Sequence, residues 1–238
     1  MSARFEELDF QPTPMGDLTL RRRVEPTLGT QVFEVKLGEE FLMSSLFTVA
    51  EEQLATLGLA ALTNDVPDVL DVLVGGLGLG YTAVTALADR RVRNLVVVDT
   101  LPAVIDWHRR GLLPVSAALT GDPRTTLVLA DFFALMRRAP DAGAARYDAI
   151  LLDVDHSPRH QLDPSHADLY TAPGLRALSQ HLKPDGVFAL WSDDPPDEQF
   201  LATSGSVFDS VSAQVVDFDN PLTGGTSSNT VYLANRRG

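Results

Sequence analysis

Three glycines at alternate positions, followed by a carboxylate in the next apolar run, form the most informative pattern in this chain. Gly76, Gly78 and Gly80 lie between a short apolar run and a segment with helical spacing. Glycine lets a main chain turn tightly and approach a ligand closely where a helix begins. Asp99 ends the next apolar run, 19 residues after Gly80, where its carboxylate can accept hydrogen bonds from ribose hydroxyls. The pattern predicts a nucleoside site.

The spacing of the glycines does not fit a dinucleotide site, which has a glycine three residues after its second one, because position 81 is tyrosine. The form G-x-G-x-G resembles the loop of S-adenosylmethionine-dependent methyltransferases and their relatives. Asp131 follows another apolar run and opens a helical segment. It can accept from an adenine amino group, cap the helix, or do both. Thr100 and Phe132, which follow the two carboxylates, complete the predicted nucleoside site.

Alternating strand and helix patterns must position these residues. Continuous apolar runs suit strands that are buried on both faces of a parallel sheet, and helical patterns separate them. Two further runs near the end predict an antiparallel hairpin. The predicted strands are 69–74, 95–98, 125–129, 149–154, 187–191, 211–218 and 230–234, and the predicted helices are 82–89, 103–110, 132–138 and 167–182. The fold class is therefore α/β, a Rossmann-type doubly wound, mostly parallel sheet like that of class I methyltransferases.

The first 62 residues have a different pattern. Residues 18–23 and 31–37 alternate between apolar and polar, as hairpin strands do, and 41–46 is a candidate third strand. Residues 49–62 carry leucines at helical spacing behind Glu51 and Glu52, acids that favour the first turn of a helix. The sequence predicts a β-rich cap with a connecting helix over 1–62 and a nucleoside-binding catalytic domain over 63–238.

The charge balance restricts the classes of partner. With 32 acidic and 19 basic residues, the formal net charge of −13 repels phosphate backbones, so we expect no nucleic-acid partner. The acidic surface either attracts a cationic substrate or only aids solubility. No apolar run approaches the roughly 20 residues that span a bilayer, and the acidic first ten residues are unlike a secretory signal. We expect a cytoplasmic protein without membrane partners.

Four stretches of the chain carry a resemblance to a known family. They are the glycine loop at 73–80 (LVGGLGLG), residues 96–108 (VVVDTLPAVIDWH), the segment from Asp122 to Asp131, and residues 147–153 (YDAILLD) with 169–171 and 182–186. In order and spacing they resemble the polyamine aminopropyltransferases, the spermidine synthase family. The resemblance covers roughly residues 18–234 and includes the β-rich start, which is similar to the family's small N-terminal domain.

The resemblance implies transfer of a 3-aminopropyl group from decarboxylated S-adenosylmethionine to an amine such as putrescine. The reaction is a displacement at the carbon beside a sulfonium. The thioether leaves as a neutral group, whereas the amine must arrive deprotonated and in line. The resemblance also implies a homo-oligomer, such as a dimer, and no metal.

The loop after the fourth predicted strand departs from the family pattern. The family usually has two aspartates three positions apart; the first falls on Asp153, but His156 occupies the second position and Asp155 lies beside it. Adjacent residues at a strand end point in opposite directions, so Asp155 and His156 cannot both replace the missing acid. Asp153, Asp155 and His156 are the catalytic candidates, with His156 as the base or with a changed amine site.

Further positions differ on the substrate side. Gly78 stands where the family commonly has an aspartate associated with the donor's amine end, and residues 44–55 lack the family's glutamine and Tyr-His pair. Trp191 follows the fifth strand where the family often has glutamine. Asp193 and Asp194 either replace the lost acids or form a solvated turn. Trp191 and Tyr81 are candidates to stack on the adenine or to cover a substrate, whereas Trp107 and Tyr170 are expected to pack.

The loop from 155 to 166 carries three histidines and two aspartates. Their spacing fits no closed tetrahedral zinc pattern on one element. We expect a loop that faces the substrate, with a solvated loop and a metal site as the alternatives.

Three functions remain open at this point. The first is an aminopropyltransferase of the spermidine synthase type. The second, favoured by Gly78 and the lost acceptor residues, is a small-molecule methyltransferase that uses S-adenosylmethionine itself. The third is a nucleoside-binding protein without catalysis, against which the polar residues of the loop after 153 argue.

Overall fold

Two β-sheets of different kinds build the structure, a computed structural model that describes residues 5–13, 16–62 and 69–236. The first sheet is antiparallel in the order β1-β2-β3-β4 (Phe5–Thr13, Gly16–Val24, Gln31–Leu37 and Glu40–Ser44). Leu18, Leu20 and Val35 are fully buried on its inner face, as the alternation in the sequence predicts. Strand β1 is not predicted from the sequence, because most of its residues are exposed and polar.

The second sheet has seven strands in the order β10-β11-β9-β8-β5-β6-β7. The five strands β5 to β9 run parallel, and β11 pairs antiparallel with both β9 and β10. Their bounds are Leu70–Gly75, Val92–Asp99, Thr125–Leu129, Tyr147–Leu152, Leu182–Ser192, Ser210–Asn220 and Gly225–Asn235 for β5 to β11. Aliphatic side chains fill both faces of the central strands. The predicted α/β class with a mostly parallel doubly wound sheet is confirmed.

Seven α-helices in the described residues accompany these strands. They are Val49–Ala60, Tyr81–Ala88, Pro102–Arg109, Ser116–Gly121, Phe132–Arg137, Ala172–Ser179 and Glu198–Gly205, numbered α1 to α7. The predicted helix at 167–182 is confirmed only over its centre, as α6, and its bounds are wrong. A 3₁₀ segment covers Pro164–Tyr170, the extended backbone of Thr171 separates it from α6, and β9 already starts at Leu182. Within the described part of the chain, each helix is too short or too polar to cross a bilayer.

Helix α1 packs against the larger sheet. It contacts α2, β8, β9 and β11, and a Cβ on Gly58 would lie 2.6 Å from Leu151 Cδ2, so the helix backbone lies very close to the strands. The predicted domain boundary at 62/63 borders residues 63–68, which lie outside the described residues. At the other end of α1, Thr82 Oγ1 donates to the main-chain oxygen of Glu51 at 3.2 Å, which holds the first turn of α1 against α2.

A buried hydrogen bond joins the smaller sheet to the larger domain. The indole Nε1 of Trp107, a fully buried residue of α3, donates to Asp9 Oδ2 on β1 at 2.7 Å. Arg110 Nη1 donates to the other oxygen of Asp9 at 3.1 Å. Trp107 therefore packs, as the sequence analysis expects, and its one polar atom is used to hold the two sheets together.

Substituting Asp9→Ala removes the acceptor of this buried indole N–H, so we expect a loss of about 1–3 kcal/mol in the free energy of unfolding. The measurement is urea denaturation followed by tryptophan fluorescence. Asp17→Ala, at an exposed position of β2, is the control and is expected to change stability by less than about 0.5 kcal/mol. Equal midpoints for the two variants would show that the bond contributes nothing to stability.

Candidate active site

The glycine loop joins β5 to α2 and lies directly on the main chain that follows β8. Gly76 has φ +93°, and a Cβ there would lie 2.0 Å from the carbonyl oxygen of Asp153. Gly80 has φ +91°, and its Cβ would lie 2.7 Å from Leu119 Cδ1 and 2.8 Å from His108 Cε1. Both positions need glycine for backbone conformation and for space. The loop and the start of the predicted catalytic segment are therefore neighbours.

Asp99 holds the glycine loop in place. Its Oδ2 accepts from Leu77 N at 3.0 Å and Gly78 N at 3.4 Å, and its Oδ1 accepts from Leu101 N at 2.8 Å. Burial raises the pKa of Asp99, and these main-chain donors counter the effect. A carboxylate oxygen has two lone pairs, so Oδ1 retains capacity for a ligand hydroxyl. Asp99 can thus shape the loop and still take part in the predicted ribose contact.

His108 supports the same loop and was missed by the sequence analysis. This residue of α3 is fully buried, and its Nε2 lies 3.0 Å from the carbonyl oxygen of Gly78. Burial lowers the pKa of His108, which favours a neutral ring whose Nε2–H donates to that carbonyl. The signal in the sequence is that His108, a polar residue, falls on the apolar face of the predicted helix 103–110.

The remaining nucleoside candidates lie at the ends of neighbouring strands. Asp99 is in register with Leu129, so the exposed residues Thr100 and Asp131 share one edge of the sheet. Asp131 Oδ1 accepts from Ala134 N at 3.0 Å and caps α5. Phe132 has a buried side chain that packs beneath Gly75, so only its main chain is open to a ligand.

Asp153 and Glu51 form a pair of acids beside the glycine loop. Asp153 Oδ2 accepts from the hydroxyl of Thr82 at 2.7 Å, and burial raises the pKa of Asp153 to about 6. Burial, followed by the charges of Asp153 and Glu52, raises the pKa of Glu51 to about 8. Glu51 was interpreted in the sequence only as an acid favourable to a helix start. The fold makes it part of the site.

The side chain of Asp155 points into the interior of the loop after β8 and is not exposed at the surface. The side chain is fully shielded from solvent and accepts three hydrogen bonds, from Tyr170 Oη at 2.6 Å, His166 Nδ1 at 2.8 Å and Leu162 N at 2.8 Å. His166 also stacks on Phe133 with ring centroids 3.6 Å apart. The structure therefore does not bring Asp155 to the substrate side, which corrects its place among the catalytic candidates: it positions the loop.

His156 is partly exposed, and its ring makes no hydrogen bond with another residue in the described ranges. Its carbonyl oxygen accepts from Asp193 N at 2.7 Å. Asp194 accepts from Ser157 Oγ at 2.7 Å and His160 Nδ1 at 3.0 Å, so it ties the loop to the end of β9. Among the residues that the structure describes, no three His, Asp or Glu side chains are grouped as metal ligands.

A cavity of about 430 Å³ lies next to Glu51. Its walls come from four parts of the chain: α1 and the segment before it, the end of β9, and both strands of the final hairpin. The lining residues are Phe47, Glu51, Trp191, Asp193, Phe218 and residues 226–229. The indole Nε1 of Trp191 is buried and has no hydrogen-bond partner. The arrangement is a mixed aromatic and acidic chamber beside the nucleoside edge.

Comparison with known proteins agrees with this geometry. The family model described as "Spermine/spermidine synthase domain" matches residues 49–209, more than half of the chain. The chain belongs to the spermine/spermidine synthase family. The matched region begins at α1 and ends after α7, so it includes the glycine loop, Asp99, Asp153 and Glu51.

Curated relatives of the chain carry transferase names. Putrescine N-methyltransferase 1 of Nicotiana tabacum is 30% identical over 150 residues, which cover 61% of this chain and 38% of that protein. Polyamine aminopropyltransferase 2 of Pseudomonas aeruginosa is 33% identical over 159 residues, covering 64% and 43%. The match thus spans less than half the length of these relatives. A solved spermidine synthase in complex with the transition state analogue AdoDATO shares the fold, with a TM-score of 0.73, 19% identity and coverage of 97% of this chain and 73% of that one.

Substituting Asp99→Ala removes the acceptor of three main-chain N–H groups of the loop and its neighbour. We expect the affinity for methylthioadenosine to fall at least about tenfold, since bonds to a charged acceptor contribute roughly 1.5–3 kcal/mol each. Titration calorimetry measures the effect. Asp219→Ala, on the exposed final hairpin, should bind like the unmodified protein. Unchanged affinity in Asp99→Ala would contradict the assigned role.

Substitutions of the neighbouring residues Asp155 and His156 should have clearly different effects on thermal stability. Asp155→Ala leaves the donors of Tyr170, His166 and Leu162 without their buried acceptor, so we expect a loss of about 3–5 kcal/mol and a fall in Tm of roughly 10 °C. His156→Ala removes no hydrogen bond of the ring and should shift Tm by less than about 2 °C. Differential scanning calorimetry makes the comparison, and similar shifts for both variants would contradict it.

Proposed function

We propose that the chain transfers an alkyl group from an adenosyl sulfonium donor to an amine, and that this group is the aminopropyl group of decarboxylated S-adenosylmethionine. The observation that carries the proposal is the position of Asp153. Its main chain lies against Gly76, its side chain is partly buried, and within the described residues it forms no ion pair with lysine or arginine. A cationic group next to the nucleoside loop would supply the missing positive charge.

The donor half of the proposed site follows from the loop geometry. In the proposal, Asp99 and Thr100 contact the ribose and Asp131 contacts the adenine, which is supported by their position at the same edge of the sheet. The sulfonium would then lie over Gly76 and Gly78, on the side towards Asp153. A positive sulfonium and a carboxylate in a partly buried site attract each other more strongly than they would in water.

The transfer needs one proton to leave the acceptor. The ammonium loses its proton to a carboxylate or an imidazole, and the freed lone pair attacks the carbon beside the sulfonium. The carbon–sulfur bond breaks with both electrons going to sulfur, and a neutral thioether leaves. In the proposal Asp153 orients the amine, and His156, whose ring makes no hydrogen bond in the described structure, lies on the same loop.

Methyl transfer from S-adenosylmethionine is the second candidate, and Gly78 favours it. The family commonly has an aspartate there, associated with the donor's amine end, but a Cβ at Gly78 would already lie 3.2 Å from Met43 Sδ. No carboxylate reaches the donor tail from this position. The putrescine N-methyltransferase name of a curated relative points to the same alternative.

The acceptor class is supported by charge. The net charge of −13 and the acids around the opening attract amines and repel phosphate groups. A small-molecule amine is therefore the proposed partner, and the homo-oligomer implied by the family resemblance remains a prediction.

Product analysis with the two donors tests the proposal. With decarboxylated S-adenosylmethionine and putrescine, we expect methylthioadenosine and an aminopropylated amine in equal amounts by mass spectrometry, and no product from S-adenosylmethionine. Asp153→Asn should lose turnover and keep thioether binding, whereas Asp217→Asn, at an exposed position of β10, should behave like the unmodified protein. S-adenosylhomocysteine with a methylated amine would establish the second candidate, and failure of both thioethers to bind would overturn the function altogether.

A further inference from the structure

The first turn of α1 brings a second acid, Glu51, close to Asp153. Thr82 Oγ1 lies 2.7 Å from Asp153 Oδ2 and 3.2 Å from the main-chain oxygen of Glu51, so one hydroxyl contacts the residues of both acids. The close packing of α1 at Gly58 leaves the helix little freedom to move away from the sheet. Glu51 is therefore held next to Asp153 by the fold itself.

Glu51 also lines the 430 Å³ cavity, whose other walls suit an alkylamine. Phe47 and Phe218 face each other with ring centroids 5.5 Å apart, and Trp191 adds a third aromatic surface. Aromatic faces accept both methylene chains and cationic heads. The buried Nε1–H of Trp191 has no protein partner, and a buried donor of this kind normally finds an acceptor. The walls of the cavity therefore suit an alkyl chain that carries a cationic head.

The charges that face Glu51 are all negative or neutral. Glu52 lies beside it on α1, Asp153 follows β8, Asp193 lines the cavity after β9, and the phenol of Tyr81 lies at the start of α2. Within the described ranges no lysine or arginine pairs with Glu51 or Asp153. The charged side chains that an ammonium group meets in the cavity are carboxylates, and the ammonium will favour their ionised forms.

We propose that Glu51 is the catalytic base that replaces the family's second loop aspartate, and that the acceptor's alkyl chain lies against the aromatic surface formed by Phe47, Phe218 and Trp191. This inference rests on the proposed function. The ammonium passes its proton to the Glu51 carboxylate, its lone pair forms the new bond to carbon, and the carbon–sulfur pair returns to sulfur. The product amine keeps the positive charge that the sulfonium loses, and the protonated Glu51 then releases its one proton to solvent. His156 is not required as a base.

The test compares Glu51→Gln with Glu198→Gln, an exposed acid in the first turn of α7 that does not line the cavity. Putrescine is titrated alone, and again with methylthioadenosine, in two pH 7 buffers of different ionisation enthalpy. The unmodified protein and Glu198→Gln should release a proton on binding the amine, and Glu51→Gln should release none. The kcat/KM of the unmodified protein should rise as pH passes through about 8, the pKa of Glu51 in the ligand-free protein. Glu51→Gln should lose this dependence and about 10²–10⁴-fold in kcat.

Several outcomes would overturn the inference without touching the proposed function. Proton release that persists in Glu51→Gln but disappears in Asp153→Asn would identify Asp153 as the base. Loss of turnover in His156→Ala with normal turnover in Glu51→Gln would identify His156 as the base. Glu51→Asp keeps a carboxylate and should keep proton release, which separates loss of the base from damage to the fold. If neither thioether binds, the proposed function fails. The titration with putrescine alone still shows whether Glu51 loses a proton when the amine binds.

Discussion

The contact between the main chains of Gly76 and Asp153 is the constraint on which the site depends. A carbonyl oxygen occupies the space where any side chain at position 76 would begin, and the neighbouring ladder bonds, Gly76 N to Val98 O and Asp153 N to Gly75 O, continue the sheet on both sides. The loop that would receive a nucleoside and the segment that carries the acid are therefore fixed to each other as parts of one sheet edge. A sulfonium and an amine bound there would meet without a domain movement.

The two halves of the site use different kinds of contact. The nucleoside half consists of glycine main chain held by Asp99 and His108, and both supports act within about 35 residues of the loop. The acceptor half is made of side chains from α1, the end of β9 and the final hairpin. These elements are far apart in the sequence, and only the packing of α1 and β11 on the sheet brings them together. One half is set by local geometry, the other by tertiary structure.

This difference explains which features could be predicted from the sequence. The buried strands, the glycine loop and Asp99 have local signatures, and they were found. Glu51 was not, because an acid in the first turn of a helix has a sufficient local explanation. For Asp155 and His156 the prediction relied on strand alternation, but β8 ends at Leu152 and both residues lie in the loop after it. The partners that turn Asp155 inward, His166 and Tyr170, follow 11 and 15 residues later. Strand β1 was missed because its exposed, polar residues carry no burial signal.

The partners of buried acids elsewhere in the chain can be compared with those of the two acids in the proposed acceptor half. Glu34 is buried, and it pairs with Arg21 and Arg23; Asp148 is buried, and it pairs with Lys183. A carboxylate removed from water is costly unless it is paired or hydrogen-bonded, and these positions follow that rule. Glu51 and Asp153 are less well satisfied, since no cation of the described residues pairs with them and their pKa values rise to about 8 and about 6. Within the described ranges Asp99 and Asp155 also lack a lysine or arginine partner, but each accepts three hydrogen bonds, whereas Asp153 accepts one from the Thr82 hydroxyl. A positive charge that arrives with the substrate would satisfy this edge, which supports an amine as the proposed acceptor.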